Sequence, residues 1–299
     1  MSLKTAKTWC FRLIAVVLFF VSYYCSYVFL QSYGGTSKSP PTPSKSLCGG
    51  WLKQKKWESL NFNLDCRTCA VIGNGFAIKN SSLGGIINEY DVVIRLNDAP
   101  VRGYEDDVGN KTTMRLFYPE SASYNPSMHN DPDTLMVLVP FKQQDLRWLK
   151  EILYDEKRVL DVCAHTSVLS ASLVRKGFWK PPPQIWLGST SRIRVLDPHF
   201  LHGTASSLLQ IPLHPKRKQK PVHPTTGILA VFVALNYCDV VHIAGFGYPA
   251  SKNQEHPIHY YGYDTMKSMK DSYHDLTHEA EALKKLEDSG AIMYLHPHS

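Results

Sequence analysis

Seven short runs rich in apolar and β-branched residues punctuate the chain: CAVIGN at 69–74, DVVIRLN at 91–97, TMRLFY at 113–118, TLMVLVP at 134–140, RIRVLD at 192–197, VVHIAGF at 240–246 and AIMYLH at 291–296. Helix-forming stretches lie between them: FKQQDLRWLKEIL after the fourth run, TTGILAVFVALNYC leading into the sixth, and THEAEALKKLEDSG ahead of the seventh. Thr277 is the expected N-cap of that last helix and Gly290 its expected stop. Strands that alternate with helices build a sheet covered on its faces, so the expected fold is α/β, with a Rossmann-like, mostly parallel sheet flanked by helices. Ligands of such sheets gather at the carboxyl ends of the strands. An apolar share of 43% with 20% charged residues is ordinary for a globular chain and allows one main domain with a sizeable core.

The first run leads into CAVIGNGFAIKNSSLGG, which starts like the phosphate-binding turn of a dinucleotide enzyme at Gly73-Asn74-Gly75. A third glycine is due where Ile78 stands, so the full fingerprint is missing. Asn74, Asn97 and Gly245 all fall at expected strand ends. An asparagine amide both donates and accepts hydrogen bonds, which suits the reading of a base or sugar. Asparagine in a tight turn is the plain structural alternative for either one.

Ahead of this body, Leu13 to Leu30 reads LIAVVLFFVSYYCSYVFL, eighteen residues without a charge, preceded by Lys4, Lys7 and Arg12. The length is enough to span a bilayer, and the run is longer than the core of a cleaved signal peptide. The expectation is a cytosolic tail at 1–12, a transmembrane signal anchor at 13–30, a Ser/Pro/Gly-rich stem at 31–60 and a lumenal catalytic domain at 61–299. That is a type II topology. A formal charge of +7 would fit nucleic acid, but a lumenal protein meets none. The basic stretch HPKRKQKP at 214–221 is read as a solvated loop, with attraction to an anionic nucleotide sugar or glycan as the alternative. Of the seven cysteines, Cys10 and Cys25 lie in or beside the anchor, and Cys48, Cys66, Cys69, Cys163 and Cys238 are disulfide candidates in an oxidising lumen. Two sequons, at Asn80 and Asn110, agree with the secretory route.

Histidines concentrate near the C-terminus, at His256, His259, His274 and His278. Histidine is the side chain best matched to proton transfer near neutrality, and a helix start beside His274 would favour its neutral, base-competent form. A surface or capping role is the bland alternative for any one of them. Asp131-Pro132-Asp133 matches the Asp-x-Asp pattern that holds divalent ions on nucleotide diphosphates, but it stands before an apolar strand with proline between the acids, so it is read as a turn. No metal site is expected.

Four stretches together resemble the animal sialyltransferases, over most of the chain from about Cys66 onward. The large motif is CAVIGNGFAIKNSSLGGIINEYDVVIRLNDAPVRGYEDDVGNKTTMRLFYPE, the small motif is HPTTGILAVFVALNYCDVVHIAGFGYP, the third is HYYG and the very small one is HDLTHE. The chain looks most like beta-galactoside alpha-2,3-sialyltransferases that act on N-acetyllactosamine-type ends. The resemblance implies a variant GT-A-type glycosyltransferase fold, in the Golgi membrane. It implies a donor, CMP-sialic acid, that needs neither a pyrophosphate cradle nor a metal, and galactose-terminated glycoprotein or glycolipid acceptors. By the same resemblance Asn74 and Asn97 contact CMP, while Thr225, Thr226 and Gly227 bind nucleotide and the donor carboxylate. His274 is the general base that activates the galactose 3-hydroxyl, and His259 meets the leaving phosphate. Cys69 and Cys238 form the family's bridge; Cys48 with Cys66 is a guess for a second, leaving Cys163 odd.

Two departures stand out. Gly262 closes the third motif where relatives usually carry Glu, and the stretch Leu160 to Val174 intervenes where relatives run almost directly on. These keep open a catalytically impaired splice form or a glycan-binding relative. A nicotinamide oxidoreductase is disfavoured by the missing third glycine and the anchor. The sequence also leaves open acceptor preference and whether a homodimer forms through the stem.

Overall fold

All seven apolar runs become strands of one sheet in the computed structural model of the protein, which describes residues 67–154, 177–211, 222–247, 255–267 and 273–296. In chain order the elements are β1 Thr68–Ile72, α1 Gly84–Asn88, β2 Val92–Leu96, α2 Glu105–Val108, β3 Met114–Phe117, β4 Leu135–Leu138, α3 Gln143–Tyr154, β5 Ile193–Val195, α4 Pro198–Gly203, α5 Thr226–Tyr237, β6 Val240–Ala244, α6 Leu276–Asp288 and β7 Met293–Tyr294. The expected anchor and stem, Cys48, Cys66, Cys163, the 160–174 segment and the basic stretch at 214–221 lie outside the described residues. No helix among the described residues is long and apolar enough to cross a membrane.

Every strand pair is parallel, in the order β5-β4-β3-β2-β1-β6-β7. A parallel sheet is covered on both faces, which is why its strands read as near-continuous apolar runs without alternation. In β1, Cys69, Ala70 and Val71 are fully buried. One face is covered by α5, whose TGILAVFVALNY sequence is apolar all round and buries Ile228, Leu229, Val231 and Phe232 against Val71, Ile94 and Ile243. Burial of each such side chain stabilises by about 1.5–3 kcal/mol. The opposite face packs Ile72, Val93 and Ala244 against Ile78, Ile87 and Tyr260. A disulfide joins Cys69 in β1 to Cys238 at the end of α5, as the resemblance implied.

The start of α6 differs from expectation. Its N-cap is Asp275, whose side chain accepts from the His278 N–H at 3.1 Å, whereas Thr277 lies inside the first turn. Both residue types cap well, and the backbone decides between them, being still non-helical at Asp275 (φ −98°, ψ 82°) and helical from Leu276. The stop is as expected: Gly290 takes φ +72° just beyond the helix.

The strand order turns around at β1, with β2 to β5 laid down on one side and β6 and β7 on the other. The carboxyl ends of β1 and β6 therefore flank the crevice where such sheets bind ligands.

Candidate active site

At that crevice the glycines of β1 and β6 face each other. The Gly73 N–H donates to Ala244 O and the Gly75 N–H to Gly245 O, both at 2.7 Å. A Cβ on Gly73 would fall 2.3 Å from Gly245 O, and one on Gly245 would fall 2.5 Å from Gly73 O. The glycine turn thus serves the close approach of two main chains. Ile78, where a third glycine was due, is fully buried in the short 3-10 turn Phe76–Ile78, so no helix follows β1 directly to need one.

The segment around His259 is laid antiparallel along this turn. Phe76 N–H donates to Ile258 O, Tyr260 N–H donates to Asn74 O, and Gly75 bridges His259. Asn74 donates from Nδ2 to the Tyr261 hydroxyl at 3.1 Å, while its Oδ1 is buried with no protein partner. The His259 ring stacks on Tyr261, with centroids 5.3 Å apart and planes at 15°. Burial holds the His259 imidazole below its ordinary range and the Tyr261 phenol above it, so both stay neutral. The Tyr260 hydroxyl donates to Pro100 O, and burial pushes its pKa up to about 12.

Asn97 ends β2 in the left-handed region at φ +54°. Its carbonyl accepts from Arg115 Nη1 at 2.9 Å and its side-chain Oδ1 from Ser121 Oγ at 3.2 Å. Arg115 is buried and also holds the carbonyls of Ala99 and His129 and the Asn130 side chain; burial lowers its pKa to about 10, which still leaves it a cation. A pocket opens beside Asn97 between Ser121, Ser123, His129 and Asn130.

The start of α5 is fixed from α6. Thr225 is the N-cap, accepting from the Ile228 N–H at 3.1 Å, and both its N–H and its hydroxyl donate to the Glu279 carboxylate at 2.6 Å. Thr225, expected with Thr226 and Gly227 to bind the nucleotide and the donor carboxylate, thus has its N–H and hydroxyl engaged by Glu279. The donors that the cap leaves at the helix start are the N–H groups of Thr226 and Gly227. Burial, outweighing the two hydrogen bonds, raises the Glu279 pKa to about 7.

His274 immediately precedes Asp275. Its Nδ1 lies 2.9 Å from the carbonyl oxygen of His223, and His223 N–H donates to Tyr273 O. A carbonyl only accepts, so the proton sits on Nδ1 and Nε2 carries the lone pair. Burial keeps this ring neutral. Rings connect it onward: His223 packs on Phe141, and Phe141 on Tyr118, beside the Asn97 pocket. Of the other two clustered histidines, His256 packs edge-on against Phe76 and His278 pairs with Asp275 at 2.7 Å.

The acids of the Asp-Pro-Asp sequence are engaged separately, Asp131 by the Thr112 N–H and Asp133 by Arg192, in agreement with a turn. Gly262 is exposed at φ +67°, a conformation that glycine takes readily. Asn80 and Asn110 are both exposed. Sequence reasoning assigned no role to Glu279, Tyr261, Arg115 or His223. All four stood inside the quoted motifs, but the partners of Glu279 and Tyr261, Thr225 and Asn74, are distant in the chain.

Comparison with known proteins gives the chain its relatives. The model of glycosyltransferase family 29 (sialyltransferase) matches residues 42–291. The CMP-N-acetylneuraminate-beta-galactosamide-alpha-2,3-sialyltransferase 4 of Rattus norvegicus is 53% identical over 233 residues, 78% of this chain and 65% of that protein. The type 2 lactosamine alpha-2,3-sialyltransferase of Homo sapiens is 42% identical over 234 residues, 78% of this chain and 66% of that protein. The chain thus spans just under two thirds of the length of these relatives. Among solved structures, a mammalian sialyltransferase in complex with Gal-beta-1-3GalNAc-ortho-nitrophenol superposes with a TM-score of 0.57 at 30% identity, covering 78% of this chain and 70% of that one.

Proposed function

Because the chain belongs to glycosyltransferase family 29, the sialyltransferases, we propose that it transfers sialic acid from CMP-sialic acid to the 3-hydroxyl of terminal galactose on glycoprotein or glycolipid glycans. The relatives named above are both alpha-2,3-sialyltransferases by name, and the site residues supply chemistry that fits the transfer.

The observation that carries the reading is the tautomer of His274. An alcohol is a weak nucleophile, and its proton must leave as it attacks. A neutral imidazole held by Nδ1–H on His223 O presents the Nε2 lone pair that takes this proton. The galactose oxygen forms its bond to the anomeric carbon as the bond from that carbon to the phosphate oxygen breaks, and CMP leaves with the electron pair. Attack opposite the leaving group inverts the centre through an oxocarbenium-like transition state. His259, kept neutral by burial, offers an N–H to the phosphate as its charge grows, so the departure needs no metal ion. Asn74, Asn97 and the N–H groups of Thr226 and Gly227 hold the CMP and the donor carboxylate, the last two at a helix start suited to anions. The uncharged run at 13–30 and the exposed sequon asparagines support a single-pass type II Golgi protein with its catalytic domain in the lumen.

The test is transfer from CMP-sialic acid to N-acetyllactosamine by the full chain in detergent, with EDTA, beside His274→Ala. Transfer that survives EDTA and falls at least about 100-fold in the variant supports this reading. A parent that binds CMP without transferring, and gains transfer when 160–174 is deleted, is instead the impaired form.

A further inference from the structure

Tyr261 is engaged on two sides. Its hydroxyl accepts from Asn74 Nδ2 at 3.1 Å, and its ring lies nearly parallel to the His259 imidazole with centroids 5.3 Å apart. The two residues it joins are held next to each other by the antiparallel bridge from Gly75 to His259. In the proposed reaction one reads the nucleotide and the other meets the leaving phosphate. The Tyr261 side chain is the direct link between them.

The state of Asn74 gives the link its meaning. With one end of the amide on the phenol, the other end, Oδ1, is buried without a protein partner. A buried amide oxygen is costly to leave without a donor, so Asn74 presents an acceptor for a hydroxyl or amino group that arrives with a ligand. The hydrogen bond to the phenol limits rotation of the amide and so holds its free end in place. The phenol stays protonated because burial raises its pKa, so no charge appears beside the phosphate site. The stacked ring shields one face of His259 from water, in keeping with the burial that keeps the imidazole neutral.

We infer that Tyr261 is a positioning residue of the donor site: its hydroxyl orients the Asn74 amide toward the nucleoside, and its ring fixes the His259 imidazole. The inference rests on the donor reading given under Proposed function.

The full chain is compared with Tyr261→Phe and Tyr261→Leu by steady-state kinetics in CMP-sialic acid, by CMP affinity, and by NMR titration of the His259 ring, identified by its loss in His259→Gln. In Tyr261→Phe the stack remains and the hydrogen bond is gone. The KM for the donor and the Kd for CMP rise about fivefold, with a smaller change in kcat, and the His259 titration stays where it was. In Tyr261→Leu the donor KM rises as well and the His259 titration moves up toward the ordinary histidine value of about 6.5. Tyr261→Phe with the parent's CMP affinity overturns the inference, as does a His259 titration that is the same in Tyr261→Leu as in the parent. A parent that neither binds CMP nor uses the donor overturns the functional reading and this inference together, so the two failures are told apart by the parent alone.

Discussion

The Nδ1 nitrogen of His274 and the carbonyl oxygen of His223 lie 2.9 Å apart, which fixes the ring as one tautomer and orients it from the approach to α5. The base of the proposed reaction is therefore held by the same segment that leads into the helix start proposed to bind the donor's anionic groups. Burial lowers the His274 pKa, and a base works only when neutral, so activity is lost as pH falls through a value below 6.5. The expected acid limb of kcat/KM lies below that value and disappears with His274→Ala. A limb at or above 6.5 in the parent would contradict this assignment.

The cap of α6 gives a stability test that separates two neighbours. Asp275→Ala removes the side-chain acceptor of the His278 N–H and is expected to cost about 1 kcal/mol, while Thr277→Ala, on the exposed first turn, stays within about 0.5 kcal/mol. Urea unfolding of both variants checks it, and a larger loss in Thr277→Ala than in Asp275→Ala would return the cap to Thr277.

Glu279 ties the two helix starts together from a buried position, and its pKa raised to about 7 makes that tie pH-dependent. The folded state keeps the proton that the unfolded chain gives up near pH 4.5, so this contribution is fully present below about 4.5 and is lost as pH rises to about 7. The neutral histidines 223, 259 and 274, with lowered values, act in the opposite sense, stabilising the fold as pH rises toward 6.5. Glu279→Gln removes only the carboxyl contribution. The difference in unfolding free energy between parent and variant should change by on the order of 3 kcal/mol between pH 4 and pH 8, with the parent losing ground at the higher pH. A pH-independent difference would mean that the buried carboxyl does not titrate in this range.

Gly245 and Gly73 make the crevice by excluding side chains. Gly245→Ala meets both a left-handed backbone at φ +70° and a carbonyl at 2.5 Å, and is expected to cost about 3 kcal/mol or more. Gly85, with open space around its Cβ position in α1, is the contrast: Gly85→Ala should be neutral or add up to about 1 kcal/mol. Thermal melts of the two variants decide it, and a tolerated Gly245→Ala would show that the crevice can relax.

The strands were legible because a parallel sheet covered on both faces writes itself as apolar runs, and VVIRL or VVHIA admits little else. The long helices α3, α5 and α6 were legible from length and pattern. The short α1, α2 and α4 were not, since four to six residues carry too little periodicity. Local reasoning placed Thr277 where two good caps stand within three residues, a choice made by backbone geometry. The connections that organise the site were out of reach for a different reason: His274 to a main-chain carbonyl, Thr225 to Glu279, and Asn74 to Tyr261 each join distant parts of the chain. A main-chain acceptor leaves no mark in the sequence at all. The motif resemblance grouped those residues, and the fold supplied the pairings.

The placement of β1 between β2 and β6 has a consequence for the order in which the protein is made. The Cys69–Cys238 bridge spans 169 residues, and the β1 to β6 register spans a similar length, so β1 can pair with β2 early but must wait for most of the chain before its other edge is covered. Pairings of such long sequence separation form slowly, because the intervening chain must be closed first. Asn97 and its Arg115 support belong to the early half, whereas the glycine turn, the His259 segment and the start of α5 belong to the late one. The candidate site is therefore assembled only once β6 is in place, and an intermediate arrested before β6 would expose the edge of β1 as a template for the wrong partner.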